Sequence, residues 1–134
     1  MSLFDSMDIA STALSAQTTR INTIASNMAN ANTVASSAEE TYVARAPIFQ
    51  AVLEGEAYQL GVRVKGVEDV GMEARREFQP NHPLADENGF IYSPDIDTAT
   101  QMANMMSASR SFQSAIEVIN TSKQLALRTL TLGK

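Results

Sequence analysis

Few residues in this sequence carry the side chains that catalysis usually requires. There is no cysteine, which excludes thiol nucleophiles, disulfides and thiolate metal sites. The single histidine, His82, lies between Asn81 and Pro83, both of which favour turns. A histidine-based triad would have to use His82, and the sequence has no Gly-x-Ser-x-Gly motif to supply a nucleophile. We therefore interpret His82 as a turn residue.

Acidic residues could form a cation site or a pair of catalytic carboxylates. Asp86, Asp95 and Asp97 could bind a cation through their oxygens, but turn formation and helix capping explain them more simply. A glycosidase would need two carboxylates on either side of a cleft, and spacing along the chain does not reveal such an arrangement. The sequence therefore predicts no metal, no cofactor and no enzymatic activity.

Charge and composition also exclude several kinds of partner. The net charge is −5, and there is neither a glycine-rich phosphate loop nor a basic patch with interleaved aromatic residues. No apolar run reaches the length of a membrane-spanning helix. The methionines at positions 102, 105 and 106 favour adaptable packing over copper binding. We therefore expect neither nucleic-acid binding nor membrane insertion.

The distribution of charge divides the chain into three parts. Residues 36–97 carry twelve acidic and five basic residues, whereas both ends are poor in charge. We predict an N-terminal helix in residues 1–33, a β-rich middle region with loops in residues 34–97, and a C-terminal helix in residues 98–134.

An apolar heptad repeat runs through the first segment. The spacing of four and three residues predicts a long helix that packs against another helix. A helix of about 28 residues would be roughly 42 Å long. The members of the repeat are Leu3, Met7, Ala10, Leu14, Gln17, Ile21, Ile24 and Met28.

The last segment carries a matching repeat. Its members are Met102, Met105, Ser109, Phe112, Ile116 and Ile119. Ser93, Asp97 and Thr98 could each be the N-cap of this helix, and we prefer Asp97. We expect the two terminal helices to pair as an antiparallel coiled coil.

The middle region has strand character. Residues 42–53 are extended in character, residues 62–65 alternate between apolar and basic, and the connection over residues 54–61 could close a hairpin. Residues 90–92 could add one short strand. The predicted fold is mainly α, with a small β-rich insert between two long helices.

The helix surfaces outside the repeats carry almost no charge. Arg20 is the only charged residue between positions 9 and 38, and Arg110 and Glu117 are the only ones between positions 98 and 122. Serine, threonine, asparagine and alanine occupy most of the remaining positions. Such surfaces favour a densely packed assembly, and the alternative is a coiled-coil hairpin with an exposed Ser/Thr face.

Asparagines are concentrated at the end of the first helix, in the stretch IASNMANANT (24–33). Asn27 and Asn30 share a face beside Met28. We predict that they form hydrogen bonds between subunits that fix the register, as buried asparagines do in coiled coils. The alternative is a frayed helix end with Asn32 as its cap.

The predicted helix–helix and assembly interface combines apolar and amide side chains of both helices. It comprises Leu3, Met7, Leu14, Ile21, Ile24, Asn27, Met28, Asn30, Met102, Met105, Phe112, Gln113, Ile116, Ile119 and Asn120.

Both ends of the sequence resemble the flagellar axial proteins, the family that forms the bacterial rod and hook. The stretch ALSAQTTRINTIASNMANANT (13–33) is similar to their N-terminal motif, and MMSASRSFQSAIEVINTSKQLALRTLTLGK (105–134) is similar to their C-terminal motif. The run QPNHPLADENGFIYSPDID (79–97) narrows the resemblance to the proximal rod members.

The resemblance implies a structural subunit of the basal-body rod, in the periplasm. Such proteins are exported unfolded by the flagellar type III apparatus without a cleaved signal peptide, which suits the absence of a signal-like start here. Their terminal helices polymerise with other copies and with proximal rod, distal rod and rod-base adaptor subunits. The contact with the export apparatus is transient.

Three other readings stay open from the sequence. The first is another rod or hook subunit of the same family. The second is a soluble coiled-coil adaptor or export chaperone, which would be a stable oligomer with folded termini. The third is an acidic-site hydrolase, which activity on peptidoglycan would reveal.

Overall fold

Two long helices and a β-rich middle region make up the structure, a computed structural model that describes residues 3–54 and 59–132. Helix α1 covers Leu3–Asn30 and helix α2 covers Thr98–Leu132. Between them in sequence lie strands β1 (Arg45–Glu54), β2 (Gln59–Asp69), β3 (Arg75–Phe78) and β4 (Phe90–Ser93). The predicted fold of two long helices with a small β-rich insert is confirmed.

Strands β1 and β2 form a two-stranded sheet. The four residues between them are too few for a parallel crossover, so the strands pair as a hairpin. The predicted connection over residues 54–61 falls largely on residues 55–58, which lie outside the described residues. At the other end of the hairpin, the Val70 N–H donates to the Ala44 carbonyl (2.7 Å) and extends the pairing.

Strands β3 and β4 form a second sheet, which is antiparallel with Arg75 opposite Ser93 and Phe78 opposite Phe90. The Phe78 and Phe90 rings pack edge to face, with centroids 5.2 Å apart. The sequence predicted β4 but not β3. Every residue of β3 is exposed, so this strand lacks the alternation of apolar and polar residues by which a half-buried strand is recognised.

The chain divides into two compact units, each assembled from distant segments. The first combines Met1–Ile21, Pro47–Gly66 and Met106–Lys134. The second combines Asn22–Ala46 and Val67–Met105. Each unit therefore contains part of both terminal helices and part of the middle region.

Small residues form the buried face of α2. Ala108, Ala115 and Ser122 recur every seven residues and are buried, and the half-buried Phe112 and Ile119 lie between them. This heptad pattern agrees with packing against another helix.

The predicted repeat in α2 differs from the buried face of the structure. At two members of the repeat, the buried residue is the one that precedes the predicted residue. The structure buries Ala108 and Ala115 where the sequence predicted Ser109 and Ile116, and Ile116 is 37% exposed. Met102 is also on the outside, at 55% exposure. The prediction favoured bulky apolar residues, whereas close approach of two helices favours alanine and serine.

Side-chain hydroxyls join the segments of the first unit. The Ser6 and Ser122 hydroxyl oxygens are 3.2 Å apart and connect α1 to α2. The Thr12 hydroxyl donates to the Ile9 carbonyl (2.8 Å) and accepts from the Val62 N–H (3.1 Å). One threonine therefore satisfies a backbone donor on β2 and holds this strand beside α1.

Candidate assembly surface

His82 lies in a turn, as the sequence predicted. Its N–H donates to the Gln79 carbonyl (3.0 Å), and its carbonyl accepts from the Ala85 N–H (3.0 Å). Its Nδ1 accepts from the Leu84 N–H (3.1 Å). The imidazole therefore stabilises the local backbone.

Asp86 closes the turn that leads into β4. Its Oδ1 accepts from the N–H groups of Asn88 (2.9 Å) and Phe90 (2.8 Å), and its Oδ2 accepts from the Tyr92 hydroxyl (3.3 Å). The hydrogen bond from Phe90 is the main cause that lowers the pKa of Asp86. Gly89, with φ of +81°, supplies the left-handed residue that this turn requires.

Asp97 is the N-cap of α2, as predicted. Its carboxylate accepts from the N–H groups of Ala99 (3.2 Å) and Thr100 (3.0 Å) and from the Thr100 hydroxyl. The Thr100 hydroxyl is the largest cause that lowers the pKa of Asp97, followed by the two N–H groups. Within residues 3–54 and 59–132, no three histidine, cysteine or acidic residues are grouped so as to hold a metal ion.

Asn27 is the most highly connected amide of the cluster at the end of α1. It is only 2% exposed. Its Nδ2 donates to the Arg45 carbonyl (2.8 Å), and its Oδ1 accepts from the Arg45 N–H (3.0 Å) and the Tyr42 hydroxyl (2.9 Å). These hydrogen bonds lie within one chain, so the structure gives Asn27 an intramolecular role where the sequence predicted a bond between subunits.

Asn30 ends the helix. Its Nδ2 donates to the Ser26 carbonyl one turn earlier (2.8 Å). Its carbonyl accepts from both the N–H (3.1 Å) and the hydroxyl (2.7 Å) of Thr33. Thr33 therefore provides hydrogen-bond donors to the last carbonyl of α1, whereas the alternative read from the sequence was Asn32 as the cap.

The predicted interface residues fall into three classes of exposure. Ile24 and Asn27 are buried, so a substitution at either position would test folding before it tested assembly. The half-buried members are Met7, Leu14, Ile21, Met28, Asn30, Met105, Phe112 and Ile119. The exposed members are Leu3, Met102, Gln113, Ile116 and Asn120.

Large apolar side chains cover the outside of α2. They include Met106 (58%), Leu127 (54%), Leu130 (70%) and Leu132 (87%). Helix α2 therefore buries small residues and exposes large ones, the reverse of a helix that serves only the core of its own chain. Exposed apolar surface of this extent marks a site of association. The predicted repeat did not include Met106, because it followed a neighbouring set of positions.

A search of the described helices for a membrane-spanning segment gives a negative result, since none combines the necessary length and apolar character. The exposed apolar residues of α2 alternate with serine, threonine, glutamine and asparagine, a composition that suits contacts between helices.

Family models and individual relatives both match this chain to flagellar basal-body rod proteins. Residues 7–34 match the family model described as flagella basal body rod protein, and residues 87–132 match that of the flagellar basal body rod FlgEFG protein C-terminal region. The chain is 46% identical to the flagellar basal-body rod protein FlgC of Yersinia enterocolitica and 42% identical to that of Salmonella typhimurium. It is 41% identical to that of Escherichia coli O157:H7. Each match covers 100% of both chains.

These relatives are structural proteins of the flagellar rod, which agrees with the prediction of a structural protein and not an enzyme. The resemblance to proximal rod members, read from residues 79–97, is confirmed over the whole chain. The chain therefore belongs to the FlgC family of flagellar basal-body rod proteins.

Proposed function

We propose that this chain is a subunit of the basal-body rod that polymerises through its terminal helices. The observation that carries the proposal is the composition of α2, which packs alanine and serine inward and leaves methionine, isoleucine and leucine exposed. A chain that functioned alone would gain stability from the opposite arrangement. A neighbouring subunit that covers the exposed side chains supplies the missing burial.

Within the subunit, α1 and α2 pair as an antiparallel coiled coil. Support comes from the contact between Ser6, near the start of α1, and Ser122, in the last third of α2. The heptad spacing of the buried residues in α2 supports the same arrangement. Residues 1–33 and 98–134 form the rod core, and residues 34–97 form the outer β-rich part.

The predicted interface residues then divide by role. The exposed members, such as Gln113, Ile116 and Asn120, contact neighbouring subunits directly. The buried members Ile24 and Asn27 hold the shape of the subunit. The partners are other copies of the chain, the proximal and distal rod subunits and the rod-base adaptor. The chain reaches its place in the periplasm through the flagellar type III export apparatus, with which its contact is transient.

Complementation tests this proposal. The chain is expressed in a flagellated bacterium that lacks its own FlgC, and swimming and the protein content of isolated basal bodies are measured. We expect restored motility and the chain within the basal bodies. A chain found only in the cytoplasm, in a stable complex with another flagellar protein, would support an adaptor or chaperone instead.

Amide hydrogen exchange on the dilute chain provides a second test. We expect faster exchange in residues 1–33 and 98–134 than in the rest of the chain, because the alanines and serine buried on α2 contribute little apolar area. Part of residues 34–97 should be protected. Strong protection of both helices would mean that they already pack stably against each other in the single chain, as in a soluble adaptor.

A further inference from the structure

Helix α2 carries a second heptad repeat, which lies outside the buried one. Met106, Gln113, Asn120 and Leu127 recur every seven residues, and all four are exposed. Ser109, Ile116 and Lys123 recur at the same interval between them. Together they follow the spacing of three and four residues that is typical of a helix-packing surface. We call this surface the outer repeat.

The outer repeat is displaced by one residue from the buried one. Ser109, Ile116 and Lys123 directly follow Ala108, Ala115 and Ser122 in sequence. One residue corresponds to a rotation of about 100° around the helix axis. A second helix can therefore lie on the outer repeat while the buried face of α2 keeps its contact with α1.

A groove lies in the first unit between α1 and α2. It has a volume of about 500 Å³. Helix α1 contributes Ser6, Ala10 and Ala13, and helix α2 contributes Ser111, Ser114 and Ala115. One isoleucine and one valine complete the lining. The groove is therefore apolar, is walled mainly by small residues and carries hydroxyl groups from both helices.

The groove and the outer repeat lie on opposite sides of α2. Ser114 precedes the buried Ala115 by one residue, and Ile116 follows it by one residue. At about 100° per residue, these two neighbours diverge to either side of the buried face. The chain therefore presents a surface of large side chains in one direction and a recess of small ones in the other.

We propose that the outer repeat of one copy of this chain docks into the groove of a second copy. This inference rests on the proposed function and names the surfaces by which two subunits meet. Ile116 fits against the small residues of the recess, and Met106 and Leu127, at the two ends of the outer repeat, lie against the helices of the second copy beyond it. The amides of Gln113 and Asn120 lie within reach of its serine hydroxyls.

Opposite placement of the two surfaces determines the kind of assembly. A contact between two different patches is heterologous, so each added copy leaves one outer repeat and one groove unoccupied. Such a contact continues from subunit to subunit, whereas a symmetric contact would stop at a dimer. Lys123 does not oppose docking, because its methylene stem can pack while the ammonium group extends into solvent.

Disulfide cross-linking tests the contact directly, since the chain contains no cysteine of its own. Two variants, S114C in the groove and N120C in the outer repeat, are expressed together in a bacterium that lacks its own FlgC. Basal bodies are isolated and oxidised. We expect a dimer that contains one copy of each variant. The exposed Glu117, which belongs to neither surface, provides the control E117C, and its pairing with S114C should give no dimer.

The other outcomes contradict the proposal in distinct ways. Cross-linking of N120C with itself would show that two outer repeats meet. Absence of any dimer in basal bodies that contain both variants would show that a different protein covers these surfaces. Both results overturn the inference and leave the proposed rod function intact. Absence of the wild-type chain from basal bodies would instead contradict the proposed function.

A pair of leucines provides a second measurement. Leu127 lies in the outer repeat, whereas Leu125, with a similar exposure of 46%, does not. We expect L127D to reduce incorporation into basal bodies by at least about tenfold, because docking would bury an unpaired carboxylate. L125D should stay within about twofold of wild type, and circular dichroism checks that both variants fold. Equal incorporation of the two variants would overturn the inference.

Discussion

At the scale of single residues, the Asn27 side chain forms the pair of hydrogen bonds that the backbone of a neighbouring strand would form. Its amide both donates to and accepts from Arg45, the first residue of β1, and it also accepts from the Tyr42 hydroxyl. An asparagine near the end of α1 therefore fixes where the first strand begins. The same residue connects the helix to the β-rich region, which the heptad repeat alone would not do.

Replacement of Asn27 by alanine should destabilise the chain by about 2 kcal/mol, because the N–H and carbonyl of Arg45 would lose the Asn27 side chain as their partner in a largely buried place. Urea unfolding measures the change. Asn30→Ala is the matched control, since Asn30 lies one turn later on the same helix and its amide donates locally, to the Ser26 carbonyl. We expect that control to lie within about 0.5 kcal/mol of wild type. Equal effects of the two substitutions would contradict the role of Asn27.

The start of α2 should depend on pH through Asp97. The pKa of this carboxyl is held below its ordinary value of 3.8, chiefly by the Thr100 hydroxyl. The carboxylate therefore stabilises the helix above that value, and the stabilisation is lost as the pH falls through the lower pKa of the folded chain. Circular dichroism during acid titration measures the loss of helix.

Asp97→Asn provides the control for that titration, because asparagine caps a helix about as well as aspartate but does not ionise. We expect the variant to keep its helix content at neutral pH and to lose less of it in acid. Asp86 also has a lowered pKa and titrates in both proteins, so the difference between the two curves isolates Asp97. Identical curves would contradict the assignment.

Sequence reasoning at this scale succeeded where the partners are local. Asp97 lies within three residues of the groups that it caps, and His82 lies within three residues of its turn partners. The intramolecular role of Asn27 was not predicted, because its partner Arg45 lies 18 residues away. No spacing rule links an asparagine at a helix end to a strand that begins after a loop.

At the scale of elements, the hairpin depends on a close approach at Gly71. A Cβ atom there would lie 2.7 Å from the Val43 Cγ1 and 2.9 Å from the Ala44 backbone nitrogen. Glycine is therefore the residue that lets the chain after β2 return along the segment before β1. This requirement has no signature in the sequence, since Gly66, in the neighbouring strand, has open space around it.

Gly71→Ala should therefore destabilise the chain by about 1–3 kcal/mol, because the Ala44 backbone would have to move. Gly66→Ala is the control, and it should be neutral or slightly stabilising, since alanine reduces the entropy of the unfolded chain. Thermal unfolding of both variants measures the difference. A larger loss in Gly66→Ala would contradict this account of the hairpin.

Helix α2 shows how far the prediction of an element reaches. Its existence, its N-cap and its heptad period were predictable from apolar spacing and capping residues. The buried face of α2 was not predictable, because the buried repeat and the outer repeat have the same period and differ only by a shift of one residue. Ala115 is buried and Ile116 is exposed, and only the presence of α1 decides between them. Strand β3 was missed because no apolar pattern distinguishes four exposed residues.

At the scale of the whole molecule, charge should contribute little to association. Arg110 and Glu117 are the only charged residues between positions 98 and 122. We expect self-association of the full chain, measured by sedimentation velocity, to change by less than about twofold between 0.05 and 0.5 M sodium chloride. Sodium sulfate should increase it, because this salt strengthens the burial of apolar surface. A steep decrease with sodium chloride would assign the contact to ion pairs.

The buried face of α2 also has a mechanical consequence. Alanine has no side-chain torsion to rotate, and the alanines Ala108 and Ala115 form much of this face. Under a sustained twist, a contact between long flexible side chains can creep as the rotamers exchange, whereas alanine offers no such path. A filament whose subunits are held internally by alanine and serine should therefore behave as an elastic shaft, which stores a twist and returns it without slipping.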